Sequence, residues 1–208
     1  MNNESSLKDS IYNSVLEDIL SHKYRPNQIL NEKTLAEKYE CSKTPVREAL
    51  LSLCNDNVLR NIPRYGYEVV RLTIEDMRVM LQFRYILESG FLMDHYDKFS
   101  DSQIDQLTAI NEKCNAADND VWGLWAYNSD FHLKMISFCN NSYALEELQK
   151  CMSRLKRAYA QFYWDKWDAE SLPLDTRNHS QIIQCIKDKN LEGLLSHLKN
   201  DLNDFSSF

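Results

Sequence analysis

The chain has 208 residues, 43% of them hydrophobic and 26% charged, ordinary proportions for a folded protein and too apolar for a disordered tail. Four glycines and four prolines leave too little turn chemistry for a β-sandwich or barrel, so helices must dominate. The net charge of −7 is unevenly spread: residues 1–72 hold 10 basic and 10 acidic residues, leaving 14 basic against 21 acidic for the rest, so the first part can still present a basic face to phosphate. No apolar run approaches the roughly 18 residues of a membrane span, and the polar start MNNESSLKDS has no basic stretch leading into an apolar one. The six cysteines (Cys41, Cys54, Cys114, Cys139, Cys151, Cys185) form no C-x-x-C pair and read as small core hydrophobes. A cytoplasmic protein with no membrane partner is expected.

Along the chain, Leu7, Ile11, Val15, Ile19 and Leu20 recur at helical spacing until Tyr24-Arg25-Pro26-Asn27 breaks the pattern. Asn31 caps a short helix through Leu35, Ala36 and Tyr39. Ser42 opens another, with Pro45 in its first turn and Val46, Ala49, Leu50 and Leu53 as its apolar stripe. Val58–Ile62 and Tyr67–Val70 flank the turn Pro63-Arg64-Tyr65-Gly66, which predicts a β-hairpin. Three helices followed by a hairpin are the parts of a winged helix-turn-helix. Its recognition helix would present Lys43, Thr44 and Arg47 from its N-terminal end, and its wing would carry Arg60 and Arg64. Taken singly these charges are equally compatible with a solvated surface; their order along the chain favours the DNA-binding reading.

The stretch from Pro26 to Val70 resembles the DNA-binding domain of the GntR family of bacterial transcriptional regulators, most specifically in Ser42-Lys43-Thr44-Pro45-Val46-Arg47-Glu48-Ala49-Leu50. The resemblance implies that Lys33, Lys43, Thr44, Arg47, Tyr65 and Gly66 touch operator DNA. Asn27 and Asn57 stand where the family often has Gly, and Asn is the next best residue for a left-handed turn.

The acidic second part reads as helices throughout. Thr73–Asp76 opens one running to about Lys98, and Ser100 with Gln103 forms a capping box for the next. Further helices are expected over roughly 120–139, 142–168, 174–187 and 191–205, the last capped by Asn190. The fold class is therefore mainly α: a winged helix-turn-helix over 1–72 and an all-α bundle of about six helices over 73–208. Asn128 and His132 lie one turn apart on one helix, His179 on another, and His197 and Asp201 one turn apart on a third. Such pairs on facing helices can converge on one metal ion.

Arg84-Tyr85-Ile86-Leu87-Glu88, Asn128-Ser129-Asp130-Phe131-His132 with Asn141, and Asn178-His179 through Ile186 resemble the FCD effector domain of the FadR branch, with a helix count like that of the VanR-like subgroup. The resemblance implies a divalent metal (zinc, nickel or manganese) that helps hold a small carboxylate effector. Asn128, His132 and His179 match three ligand positions. The fourth falls on Asp201, with His197 one turn earlier as the alternative. Arg84 offers a guanidinium fork to an anionic effector, against an i+4 pair with Glu88. Tyr159, Phe162, Tyr163, Trp164 and Trp167 line either the pocket or a core or dimer contact.

The expected function is a homodimeric repressor that binds double-stranded operator DNA and answers to a small acid. A metal-dependent enzyme using His132 and His179 is the rival, but it lacks a general base or nucleophile and leaves the winged helix unused. An acidic interaction module leaves it unused as well.

Overall fold

A computed structural model of the chain describes residues 2–117, 121–163 and 177–202. The chain folds as two compact units: Met1–Thr73 with Arg157–Asp165, and Ile74–Lys156 with Lys166–Phe208.

In the first unit α1 (Asn2–Leu20) begins ahead of Leu7, because nothing in the first 25 residues is a Gly or Pro that would stop it. It ends where His22 takes a left-handed φ of 59°. A two-residue strand, β1 (Ile29–Leu30), precedes α2 (Glu32–Lys38) and α3 (Lys43–Asn55). β2 (Leu59–Ile62) and β3 (Gly66–Val69) form the expected hairpin, and the sheet order is β1-β3-β2, antiparallel throughout. β1 is too short for any alternation to announce it. Asn31 Oδ1 accepts from Lys33 N as the cap of α2, whereas Ser42 occupies the cap position of α3 without a side-chain bond. Asn27 (φ 66°) and Asn57 (φ 54°) both adopt the left-handed conformation expected of them.

The core of this unit joins Ile11, Val15 and Ile19 of α1 to Leu35 of α2, to Val46, Leu50 and Leu53 of α3, and to Leu59 and Val69 of the hairpin. Burying each such side chain stabilises the fold by about 1.5–3 kcal/mol. The residues grouped with this unit from a later helix, Ser142–Tyr163, add polar ties. Gln161 accepts from Leu72 N at 2.8 Å and donates to Val70 O at 2.9 Å, and Arg157 donates to Asn57 O at 2.8 Å.

The second unit is helical: α4 (Ile74–His95), α5 (Asp101–Ala116), α6 (Val121–Ser137), α7 (Ser142–Tyr163), α8 (Arg177–Lys187) and α9 (Leu191–Leu202). Ser100 and Gln103 form the capping box expected for α5. Asn190 Oδ1 accepts from Gly193 N at 3.0 Å, capping α9. The ends read for α7 at Asp168, for α8 at Leu174 and for α9 at Phe205 lie outside the described residues. α8 packs on α5 and α9, α5 on α6, and α4 on α6 and α9, which brings α4, α6, α8 and α9 together. All six cysteines are free, with Cys114, Cys151 and Cys185 buried.

No helix among the described residues is long and apolar enough to cross a membrane.

Candidate functional site

Two sites are built, one in each unit. In the first, the stripe Val46, Ala49, Leu50 and Leu53 pins one face of α3 to the core, which turns Lys43, Thr44 and Arg47 outward at its N-terminal end. Backbone N–H groups at such an end point at phosphates. Lys33 is exposed on α2, its Nζ 3.9 Å from Glu37. Arg64 (φ 71°) and Tyr65, 70% exposed, form the tip of the hairpin. Gly66 has φ 133°, and a Cβ there would sit 2.4 Å from the carbonyl oxygen of Leu30, so β1 and the wing approach as closely as only glycine allows. Arg60 pairs across the hairpin with Glu68.

Arg47 is not a free cation. Its Nε and Nη2 donate to the two carboxylate oxygens of Glu32 at 2.9 and 2.8 Å, and Tyr67 donates its hydroxyl to Glu32 at 2.9 Å. The bond from Arg47 holds the Glu32 carboxyl below its usual range against the opposing effect of burial. Burial and the Glu32 carboxylate together push the Tyr67 phenol up to about 12.

The second site is a fully buried polar cluster. His132 on α6, His179 on α8 and Asp201 on α9 are each less than 10% exposed, with candidate ligand atoms all within 4.8 Å of one another. His132 Nδ1 lies 2.7 Å from Glu88 Oε2, and Arg84 Nε donates to Glu88 Oε1 at 2.9 Å, both from α4. Glu88 has no solvent exposure, yet its carboxyl is held down at about 2: burial works against this, and the charges of Arg84 and His132 outweigh it. Burial holds the His179 imidazole down at about 4, and its ring stacks on Phe131 at 3.9 Å. His132 moves the other way, because Glu88 overcomes the effect of burial.

An ionised carboxylate only accepts, so Glu88 accepts a hydrogen bond from His132 Nδ1–H, which leaves His132 Nε2 facing Asp201. Nε2 lies 2.9 Å from Asp201 Oδ2 without hydrogen-bond geometry. At that distance either a second ring proton, which the raised His132 value favours, or a bound cation lies between the nitrogen and the carboxylate. His179 Nε2 is 3.5 Å from Asp201 Oδ1, and both His179 nitrogens, Asp201 Oδ1, Asn128 Oδ1 and Arg84 Nη2 are buried without a hydrogen-bond partner among the described residues. Leaving one such group unpaired costs about 1–3 kcal/mol. Two imidazoles and a carboxylate are a donor set suited to a borderline divalent ion, and the orphaned atoms of His179 and Asp201 fit one.

Comparison with known proteins decides the family. Residues 7–69 match the bacterial regulatory proteins of the gntR family, and residues 79–204 match the FCD domain. The chain belongs to the GntR family, with an FCD domain. It is a DNA-binding transcriptional regulator rather than an enzyme. It is 24% identical to the uncharacterized HTH-type regulator YdhC of Bacillus subtilis, over 92% of this chain and 86% of the relative. It is 27% identical to the gluconate operon transcriptional repressor of Bacillus licheniformis, over 89% and 78%. Among solved structures, E. coli McbR/YncC shares the fold with a TM-score of 0.75 and 22% identity, over 95% of this chain and 93% of that one.

Within this GntR regulator, His132, His179 and Asp201 gather at the buried cluster, and Asn128 lies one turn before His132 on α6 with its amide oxygen buried. His197 is half-buried and directs Nδ1 to Asn178 Oδ1 at 3.5 Å, so α9 faces the cluster with Asp201. Arg84 makes the i+4 pair with Glu88 and keeps a second nitrogen unpaired. Sequence reasoning did not place Glu88 on His132 or Glu32 on Arg47, since 44 and 15 residues separate the partners. Of the aromatic cluster, Tyr159 is buried and Phe162 half-buried; Trp164 and Trp167 lie outside the described residues.

Proposed function

We propose that this regulator is a cytoplasmic homodimeric repressor. Residues 1–72 read operator DNA through Lys33, Lys43, Thr44, Arg47, Arg64, Tyr65 and Gly66, and residues 73–208 dimerise and hold a small carboxylate effector over a divalent metal. The observation that carries the effector half is the buried set of orphaned donors, both His179 nitrogens and Asp201 Oδ1, gathered with His132, whose helix also carries the unpaired Asn128 Oδ1. When bound, a divalent ion would supply positive charge and open coordination positions for a carboxylate; zinc, nickel and manganese all suit the donor set. Glu88 fixes the tautomer of His132 so that Nε2 is the ligating atom, and the unpaired Nη2 of Arg84 is a second anchor for an anion. The repressor-named relative supports the direction of control.

Effector and operator are coupled through the relative affinities of two arrangements of the protein, so the coupling is reciprocal. Elemental analysis after incubation with zinc, nickel or manganese should find metal in the wild type and none in the His132→Ala/His179→Ala double variant, which still binds DNA. Ligation needs neutral imidazoles. Because the His132 value is raised, protons compete from above the ordinary imidazole value, and metal affinity falls as pH drops through that range. Wild-type protein that takes up none of the three ions would overturn the metal reading.

A further inference from the structure

A solvent-exposed arginine on a recognition helix ordinarily carries a full charge and much rotamer freedom, both of which favour loose, sequence-blind attachment to phosphate. Arg47 departs from this pattern. The Glu32 carboxylate that binds it two-pronged is only 20% exposed, although Arg47 itself is 59% exposed. Glu32 is the first residue of α2, directly after the Asn31 cap, where the helix dipole favours a carboxylate. Its Oε1 also accepts from the hydroxyl of Tyr67, whose ring is buried on β3 beside Gly66. One carboxylate thus ties α2, α3 and the wing strand to a single guanidinium.

The pair uses the Nε–H and one Nη2–H of the five guanidinium donors, leaving the outer edge of the fork free. Two parallel donors in a set direction are what a guanine edge in the major groove accepts. The formal charge of the pair is zero, so Arg47 adds little to phosphate attraction.

We propose that Glu32, braced by Tyr67, is a positioning residue that holds Arg47 in one orientation and cancels its charge, making it a base-reading group and lowering attachment to unrelated DNA. This rests on the reading of α3 as the recognition helix.

The test uses the full-length chain and two duplexes: one enriched from a randomised pool by the wild type, and the same duplex with its sequence shuffled. Binding is followed by fluorescence anisotropy over a salt series. Glu32→Gln should weaken the selected duplex about tenfold, the size of one lost bidentate base contact. It should leave the shuffled duplex unchanged or bound more tightly, and steepen the salt dependence by about one counterion as Arg47 turns to phosphate. Glu32→Asp should restore most of the discrimination, and Tyr67→Phe should move both readouts the same way by less. Equal weakening of both duplexes by Glu32→Gln, or no change in ratio and slope, overturns the proposal. If Glu32→Gln melts too low to assay, Tyr67→Phe decides by the same two readouts. Arg47→Ala separates the two levels: if it leaves the selected duplex unaffected, the recognition-helix reading itself fails, whereas a loss there with an inert Glu32→Gln rejects the positioning role alone.

Discussion

Asp18 and Glu88 are buried carboxylates held ionised by the charged groups that reach them. Asp18 is 4% exposed near the end of α1, and its oxygens accept from Lys23 Nζ at 2.9 Å and Lys38 Nζ at 2.6 Å. Burial pushes this carboxyl up, but the two lysine bonds outweigh it and the net shift is down. A folded-state value below the unfolded one means stability that is present above the unfolded carboxyl range, about 4, and lost as pH falls through the folded value. Asp18→Asn should therefore lower stability by about 1–3 kcal/mol at neutral pH, the worth of hydrogen bonds to a charged group. Thermal melts of wild type and variant should converge as pH drops below about 4; a gap that persists in acid would reject the assignment. Glu88 obeys the same rule with Arg84 and His132 as its cations. The i+4 spacing offered Arg84 to Glu88 beforehand, whereas His132 meets Glu88 from 44 residues away and Lys38 meets Asp18 from 20, distances no local pattern announces.

At the scale of elements, the wing depends on one glycine. Gly66 combines a φ of 133° with a Leu30 carbonyl where its Cβ would be, so any side chain must push β1 off β3 or strain the backbone. Gly66→Ala should destabilise the first unit by about 1–3 kcal/mol and loosen the hairpin, seen as accelerated amide exchange at Ile29, Leu30 and Tyr67. Unchanged exchange at those amides would show that the close approach does not constrain the sheet. The positive φ at Asn27 and Asn57, by contrast, was readable from the residue type alone, because an Asn side chain tolerates the left-handed region locally.

For the whole molecule, α4 serves two surfaces. Its inner face carries Arg84, Glu88 and Leu92 into the second unit, while Val79 (55% exposed), Phe83 (41%), Ile86 (63%) and Met93 (49%) form an apolar row along the outside. Gly90 lies in the same row with nothing within 4 Å of where its Cβ would be. Such a row supports the proposed pairing of two chains, which a two-fold operator requires. Sedimentation should show wild-type chains paired, and Ile86→Glu should weaken that pairing by roughly tenfold or more while leaving helicity intact, because it places an unpaired charge in an apolar contact. A variant that stays paired as tightly as the wild type would move the interface elsewhere.

The sequence by itself determined what depends on neighbours along the chain: the 3-4 spacing of α3, the Ser100–Gln103 capping box, the wing turn at Gly66, and the one-turn spacing of Asn128 and His132. Backbone geometry alone sets these relations. Only tertiary structure decided which side of α9 turns inward, so that Asp201 rather than His197 meets the imidazoles. It also decided that Glu88 orients His132 and that Glu32 clamps Arg47. Those choices follow from how helices rotate to bury Leu194, Leu198 and their counterparts, and that rotation is set by packing between segments far apart in sequence.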